Sequence, residues 1–294
     1  MTVPEILASC WTTAGDAGPM TPDERSPFAL RDRIEAAAGA GFTGFGIVLA
    51  DLREARDTIG YAALRSLLAG NGIRHVEVEM LNDWYARGPR REASDQARRD
   101  LLVAAEELGA RQMKAGGDTS AEPVPWEMFV SEFHTLCEDA AQSETRVAFE
   151  PMPFGNVPDL CTGRRLIDEA GHPAGGLMLD LWHMARGGVA LTEIAATPLG
   201  YVFAVELDDA DAQVVGSLLE DTLHRRRLCG EGAQDVTGFV SAVAATGFRG
   251  PWGVEILSDE FRKLDLCEQV SRSFATTAAA LRHPGVIRLP TDSS

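Results

Sequence analysis

The chain has 294 residues, of which 45% are hydrophobic and 24% are charged, and its formal net charge is −17. This composition supports a sizeable buried core and argues against intrinsic disorder. The negative charge disfavours nucleic acid as a partner, because such a surface repels phosphate backbones.

The five cysteines are scattered and never form a C-x-x-C pair. We therefore expect neither a disulfide framework nor a structural zinc site, and we predict a reducing, cytoplasmic location. The first residues lack a basic stretch followed by a long apolar run, so no signal peptide is expected. No segment approaches the ~20 apolar residues that a membrane span needs, so no membrane partner is expected.

Short apolar segments alternate with longer helical patterns along the chain. The apolar segments are rich in Val, Ile, Phe and Leu without strict alternation, as in strands buried on both faces. The predicted strands are 5–10, 43–49, 73–80, 110–115, 145–150, 176–181, 201–207 and 251–257. The predicted helices are 27–39, 57–70, 91–108, 126–142, 162–170, 191–196, 235–246 and 265–282.

Turn residues agree with these boundaries. Ser26 and Pro27 are predicted to open the first helix, and Gly41 and Gly109 have the positions of helix C-caps. Eight strand–helix units predict an α/β fold, a single (β/α)₈ TIM barrel, which takes about 250 residues. The alternative, a doubly wound open sheet, usually carries a glycine-rich turn after its first strand, and residues 11–16 do not match one.

We predict one barrel domain over residues 1–289 and a loose tail over 290–294. No linker or shift in composition divides the chain. The last residues of a domain are commonly poorly ordered.

An acidic residue closes each of the last four predicted strands: Glu150, Asp180, Glu206 and Glu255. The C-terminal ends of barrel strands meet at the face that hosts catalysis. Carboxylates packed together repel one another, and a bound dication relieves that repulsion. Each one alone is about as well explained as a helix cap or a surface ion-pair partner. Glu206 is the least secure of the four, because three aspartates follow it closely.

Further polar residues are predicted at the same mouth. His183 follows Asp180 by three residues and either turns toward the metal or caps the local turn. Glu79 and Lys114 end the third and fourth strands. Lys114 either holds a substrate oxygen or neutralises the acidic cluster.

One arginine of the run 225–227 is expected to face the site, the alternative being a solvated basic run. Four aromatic residues follow strand ends and either wall the pocket or pack in the core. They are Trp11, Trp84, Phe154 and Trp182.

Four segments together resemble the sugar phosphate isomerase/epimerase superfamily, the xylose-isomerase-like TIM barrels. They are FEPMP at 149–153, LDLWH at 179–183, RLCGEG at 227–232 and GVE at 253–255. The resemblance spans nearly the whole chain. It differs at Glu206, where the family usually has histidine or glutamine. Glu79 and Lys114 stand where the DNA-repair branch has extra histidines, so DNA repair is not expected.

The resemblance implies one divalent metal, Mn²⁺ or Mg²⁺ before Zn²⁺ or Co²⁺, bound by the four strand-end carboxylates. It implies that Glu150 and Glu255 also move a proton beside a carbonyl. Substrate contacts are expected from His183, Arg227, Lys114, Glu79, Trp11 and Trp182.

The leading functional hypothesis is an isomerase or epimerase that acts on a sugar-like or polyol-like ketone through an enediolate. The alternatives are a metal-dependent lyase, resembling the inosose dehydratases, and a ligand-binding barrel without turnover. The expected partner is a small-molecule substrate, and a homodimer is possible.

Overall fold

The structure is a computed structural model that describes residues 4–120 and 124–282. Within these ranges every helix is too short or too polar to span a lipid bilayer. The tail predicted at 290–294 lies outside the described residues. Three expectations stay predictions: the domain bounds 1–289, association into a homodimer and a location in the cytoplasm.

Eight parallel strands close into a barrel in chain order, with the last strand paired to the first. The predicted (β/α)₈ TIM barrel is confirmed. The strands are β1 (Ile6–Ala8), β2 (Gly44–Val48), β3 (His75–Leu81), β4 (Gln112–Gly116), β5 (Val147–Glu150), β6 (Gly175–Asp180), β7 (Val202–Leu207) and β8 (Trp252–Val254).

The described ranges contain eleven α-helices, which cover the outside of the barrel and part of its mouth. They are α1 (Leu30–Ala40), α2 (Leu49–Thr58), α3 (Tyr61–Gly70), α4 (Pro89–Leu108), α5 (Trp126–Gln142), α6 (Leu160–Ala170), α7 (Leu181–Arg186), α8 (Leu191–Ala195), α9 (Leu218–His224), α10 (Val236–Ala245) and α11 (Leu266–Leu281). Short 3₁₀ turns lie at Cys10–Thr12, Leu199–Tyr201 and Phe261–Lys263.

Two helix predictions are wrong. The first helix begins at Leu30 after Ala29, so Ser26 and Pro27 do not open it. The pattern at 57–70 belongs to two helices, α2 and α3, which separate at Gly60 because this residue has a φ of 78°. The glycine C-caps of α1 and α4 are present, with Gly41 and Gly109 both left-handed.

The pleat of the strands sorts their side chains between the barrel interior and the helices. On β5, Val147 and Phe149 belong to the main core, whereas Ala148 belongs to a separate cluster inside the barrel. The next inward position on this strand is Glu150, because successive side chains alternate between faces. The same alternation brings Asp180 on β6 and Glu206 on β7 to the top interior layer, where their Cα atoms are paired in register.

Close packing inside the barrel gives a test of the fold. A Cβ atom added at Gly176 on β6 would overlap the ring of Phe203 on β7. We expect Gly176→Ala to lower the free energy of unfolding by about 1–3 kcal/mol, the usual cost of overpacking. Thermal and urea unfolding measure the change. Gly39→Ala on α1 is the matched control: nothing lies within 4 Å of the added atom, and alanine should be neutral or stabilising. Equal unfolding midpoints for the two variants would contradict this packing.

Candidate functional site

A cavity of about 400 Å³ opens at the C-terminal ends of the strands. Its polar wall includes Glu79, Glu150, His183, Arg226 and Glu255. Its apolar wall includes Trp11, Met80, Met152, Phe154 and Leu257. Charged and apolar side chains thus both line the cavity, as in many small-molecule sites.

Lys114 is the first of two buried cations at the barrel mouth. Its Nζ lies 2.6 Å from Glu79 Oε2, 2.6 Å from Glu206 Oε1 and 3.3 Å from Glu255 Oε1. Burial alone would lower the pKa of this ammonium, but the three carboxylates raise the pKa well above its ordinary value. Lys114 therefore stays charged and neutralises the acidic cluster, which is the second of the two roles expected for it.

Arg226 is the second buried cation. Its Nη1 lies 2.6 Å from both Asp180 Oδ2 and Asp208 Oδ2, and 3.4 Å from Glu255 Oε2. Thr222 Oγ1 accepts hydrogen bonds from its Nε and Nη2. The side chain is thus held between β6, β7 and β8 and links three carboxylates of the mouth.

The two cations do not balance the buried acids. Burial raises the pKa of Glu150 to about 8 and also raises the pKa values of Glu206 and Glu255. Asp180 differs: burial would raise its pKa, but the charge of Arg226 and the hydrogen bonds from Arg226 and from the backbone N–H of His183 lower it. In the metal-free protein the carboxyl of Glu150 therefore holds a proton at neutral pH, and a bound divalent cation would displace that proton.

His183 is buried, and its burial lowers its pKa to about 3. The imidazole is therefore neutral at physiological pH. Its Nε2 lies 3.4 Å from Glu150 Oε1, and since the ring is uncharged this contact is not an ion pair. The backbone N–H of His183 donates to Asp180 Oδ1 at 2.8 Å, which fixes the start of α7.

The potential metal ligands fall into two groups in the described ranges. Ligand atoms of Glu150, Asp180 and His183 lie within 4.8 Å of one another, and so do those of Glu79, Glu206 and Glu255. Lys114 already lies among the second group. The four carboxylates predicted to share one ion are therefore adjacent around the barrel but divided between the two groups.

Two buried oxygens provide the test of whether a cation fits. Glu150 Oε1 and Glu206 Oε2 have no hydrogen-bond partner within residues 4–120 and 124–282. A buried unpaired carboxylate oxygen is costly unless a cation or donor satisfies it. They come from β5 and β7, with Asp180 on the strand between. The donor set at this mouth fits a divalent ion.

Other predicted residues lie in different places. Arg227 is on the surface, paired with Asp211 at 2.7 Å, so the inward arginine of the run is Arg226. Trp11 and Phe154 line the cavity. Trp84 packs in the core against Phe129 and donates its indole N–H to Gly116. Trp182 is fully buried beside Arg226 rather than at the cavity wall.

The sequence did not identify Asp208 or Asp209 as organising residues. Asp208 is fully buried against Arg226. Asp209 accepts hydrogen bonds from the backbone N–H groups of Gly230, Gly232 and Gln234, which shapes the glycine-rich turn. Strand alternation from Glu206 gives the inward direction of Asp208, but the three consecutive arginines give no local sign of which one it pairs with.

Comparisons with known proteins agree with this fold. The family model described as xylose isomerase-like TIM barrel matches residues 34–281. A 3-dehydroshikimate dehydratase of Pseudomonas putida is 30% identical over 79% of this chain and 37% of its own length. A second, from Pseudomonas aeruginosa, is 29% identical over the same two shares. The chain thus spans just over a third of the length of these curated relatives.

A solved structure described as IOLI protein with a binding zinc atom superposes with a TM-score of 0.82. It is 18% identical, and the match covers 94% of this chain and 98% of that one. At this identity the likeness concerns the fold alone.

The relatives correct the leading functional hypothesis. The sequence favoured an isomerase or epimerase, but two relatives at about 30% identity are named as dehydratases, which are lyases. The prediction was wrong because one constellation of carboxylates beside a carbonyl serves isomerisation, epimerisation and dehydration alike. The motifs that carried the resemblance lie in that shared constellation.

Removing Lys114 tests its role as a buried counter-charge. Lys114→Met leaves Glu79, Glu206 and Glu255 without their common partner, and we expect it to destabilise the fold by about 3–5 kcal/mol. Urea unfolding of the metal-free protein measures the loss. The double variant Lys114→Met/Glu206→Gln should recover part of it, because it also removes one of the stranded charges. A single variant as stable as the parent would contradict the role.

The raised pKa of Glu150 predicts a pH-dependent metal affinity. With a pKa of about 8, this carboxyl is protonated at pH 6 and ionised above pH 8 in the metal-free protein. A metal must displace that proton, so the affinity for Mn²⁺ should increase from pH 6 to pH 8 and then level off. Calorimetry in buffers of different ionisation enthalpy measures both the affinity and the released proton.

Glu77→Gln is the matched control for that titration. Glu77 is another buried carboxyl, whose pKa burial raises to about 7, but it lies one inward layer below Glu79 and bonds to Gln112. Its substitution should leave the pH dependence of Mn²⁺ affinity unchanged, whereas Glu150→Gln should flatten it. A parent profile that is flat between pH 6 and pH 8 would refute the assignment.

Proposed function

This chain belongs to the xylose isomerase-like TIM barrel family, and we propose that it is a metal-dependent lyase that removes water from a hydroxylated cyclic ketone. One observation carries the proposal: a buried, unpartnered carboxylate oxygen of Glu150 lies beside a neutral histidine at the wall of the cavity. The dehydratase relatives supply the reaction class.

Glu150, Asp180, Glu206 and Glu255 would hold the ion. The unpartnered oxygens of Glu150 and Glu206 support this set, as does the position of Asp180 on the strand between them. Oxygen-only ligation favours Mg²⁺ or Mn²⁺, although the structural neighbour with zinc keeps Zn²⁺ among the ions to test. When bound, the metal acts as a Lewis acid toward the substrate carbonyl and so acidifies the adjacent C–H.

Glu150 and Glu255 carry out the proton transfers, Glu150 as the base and Glu255 as the acid. Glu150 takes the proton from the carbon beside the carbonyl, and the electron pair of that C–H bond forms the new C=C bond. The hydroxyl on the next carbon leaves with a proton from Glu255, whose pKa is raised by burial and which lies three strands further around the barrel. Exchange with solvent then restores both carboxyls, and the net products are the unsaturated ketone and water.

The remaining wall residues bind and orient the substrate. Neutral His183, whose Nδ1 has no hydrogen-bond partner in the described ranges, would offer an N–H group to a substrate oxygen. Arg226 would hold the ring in place by donating a hydrogen bond to its Nε2. Trp11, Met152 and Phe154 are apolar lining residues against which the face of a six-membered ring can pack. We therefore propose a cyclic keto acid of the dehydroshikimate type as the substrate class.

Product analysis tests the reaction. The metal-loaded protein should convert 3-dehydroshikimate to a product lighter by one water, followed by mass spectrometry and by the absorbance of the new conjugated system. Glu150→Gln and Glu255→Gln should each lower kcat by about 10²–10⁴-fold, the usual contribution of a positioned acid or base. Glu77→Gln should keep the parent rate.

Three results would reject the proposal. An isomer of unchanged mass would exclude the lyase. Near-normal turnover in either glutamine variant, with its metal content verified, would remove that residue from the mechanism. Tight substrate binding with no release of water would favour a ligand-binding barrel without turnover.

A further inference from the structure

A second cleft, of about 300 Å³, lies at the opposite end of the barrel from the mouth. Its position follows from chain order: Arg111 directly precedes β4, Arg146 directly precedes β5, and Arg249 lies in the loop before β8. All three side chains line the cleft. We call it the arginine cleft.

The three arginines differ from most others in this protein. Most arginines in the described ranges have a carboxylate within 4.0 Å, as Arg33 has Asp51 and Arg74 has Glu5. In the same ranges, no carboxylate lies within 4.0 Å of Arg111, Arg146 or Arg249, although acidic residues outnumber basic ones by 44 to 27 in the chain. Three neighbouring guanidinium groups without a carboxylate partner give this part of an otherwise acidic protein a local excess of positive charge.

Two of these groups also have unsatisfied donors. The Nε atoms of Arg111 and Arg146 are buried and have no hydrogen-bond partner in the part of the chain that the structure describes. The Arg146 guanidinium lies 4.1 Å from the centre of the Phe203 ring. Burial and the charge of Arg111 lower the pKa of Arg146 to about 10, so Arg146 remains charged at neutral pH. Buried donors without a partner are costly, and an acceptor in the cleft would satisfy them.

Nearby acidity does not neutralise the cleft. Glu77 is a buried carboxyl whose charge acts on the pKa of Arg146, but it forms no ion pair with that residue in the described ranges. Its Oε1 accepts from the side chain of Gln112 rather than from an arginine. The positive charge of the cleft is therefore open to a ligand.

We propose that the arginine cleft binds a phosphate group, either free phosphate or a phosphate monoester. Guanidinium forks match phosphate oxygens in a bidentate geometry, and three of them suit a group with more than one negative charge. Glycines 200, 247 and 250 line the cleft and leave room for the ligand to approach the backbone. Arg249 is held in position by hydrogen bonds from its Nη1 to the carbonyl oxygens of Ala244 and Phe248.

The arginine cleft is separate from the proposed lyase site. The mouth lies at the C-terminal ends of the strands and the cleft at their N-terminal ends. Binding there can be measured without turnover, so the proposal stands or falls independently of the reaction at the mouth.

Calorimetric titration of the metal-loaded protein at fixed ionic strength tests the proposal. The probes are inorganic phosphate and glucose 6-phosphate, and the variants are Arg111→Gln and Arg249→Gln. Arg99→Gln is the matched control, because it removes the same charge from an exposed position on α4 where the partner is the side chain of Gln96. Circular dichroism checks that each variant is folded.

We expect one saturable site that is weakened about tenfold or more in each cleft variant, the cost of losing a charge-assisted hydrogen bond. Arg99→Gln should bind as the parent does. Tighter binding of glucose 6-phosphate than of phosphate would indicate a phosphorylated metabolite, and equal binding would indicate phosphate itself. The proposal is overturned if neither probe saturates, or if binding is unchanged in both cleft variants, which would place the anion at the mouth beside Arg226.

Discussion

Excess buried negative charge at the barrel mouth is the constraint on which the rest of this structure depends. Six buried carboxylates surround two buried cations, Lys114 and Arg226; the carboxylates are Glu79, Glu150, Asp180, Glu206, Asp208 and Glu255. Transfer of so many like charges out of water is unfavourable unless counter-charges or protons accompany them. Because the pKa of Glu150 is raised, this carboxyl keeps a proton near neutral pH when no cation offsets its charge. Structure and chemistry at the mouth thus follow from one electrostatic balance.

The two cations, Lys114 and Arg226, contact different sets of carboxylates. Lys114 lies among Glu79, Glu206 and Glu255, which form one of the two groups of potential metal ligands. Arg226 ties the ends of β6, β7 and β8 together through Asp180, Asp208 and Glu255. Among the described residues, unpartnered oxygens remain on Glu150 and Glu206, and they are free to bind a divalent ion. Glu206 brings a negative charge to β7, which a neutral histidine or glutamine would not do. This charge is tolerated because Lys114 offsets it.

The two ends of the barrel have opposite electrostatic character. The mouth concentrates negative charge, whereas at the N-terminal end three arginines have no carboxylate partner among the described residues. Parallel strands make this separation possible, since residues that begin a strand and residues that end it lie on opposite faces of the barrel. Arg146 and Glu150 belong to the same short segment of chain yet serve opposite ends.

The sequence by itself determined the barrel and the strand-end carboxylates. Eight apolar segments, the glycines after helices and the acids after strands are local signals, and they predict Glu150, Asp180, Glu206 and Glu255 at one mouth. The helix over 57–70 was misassigned because its periodicity hid the break at Gly60. Only the tertiary structure decided that Arg226 rather than Arg227 turns inward, that Lys114 lies among three carboxylates, and that Trp182 is buried. Those outcomes depend on contacts between residues far apart in the chain, and a local pattern holds no information about which distant charge a side chain will meet.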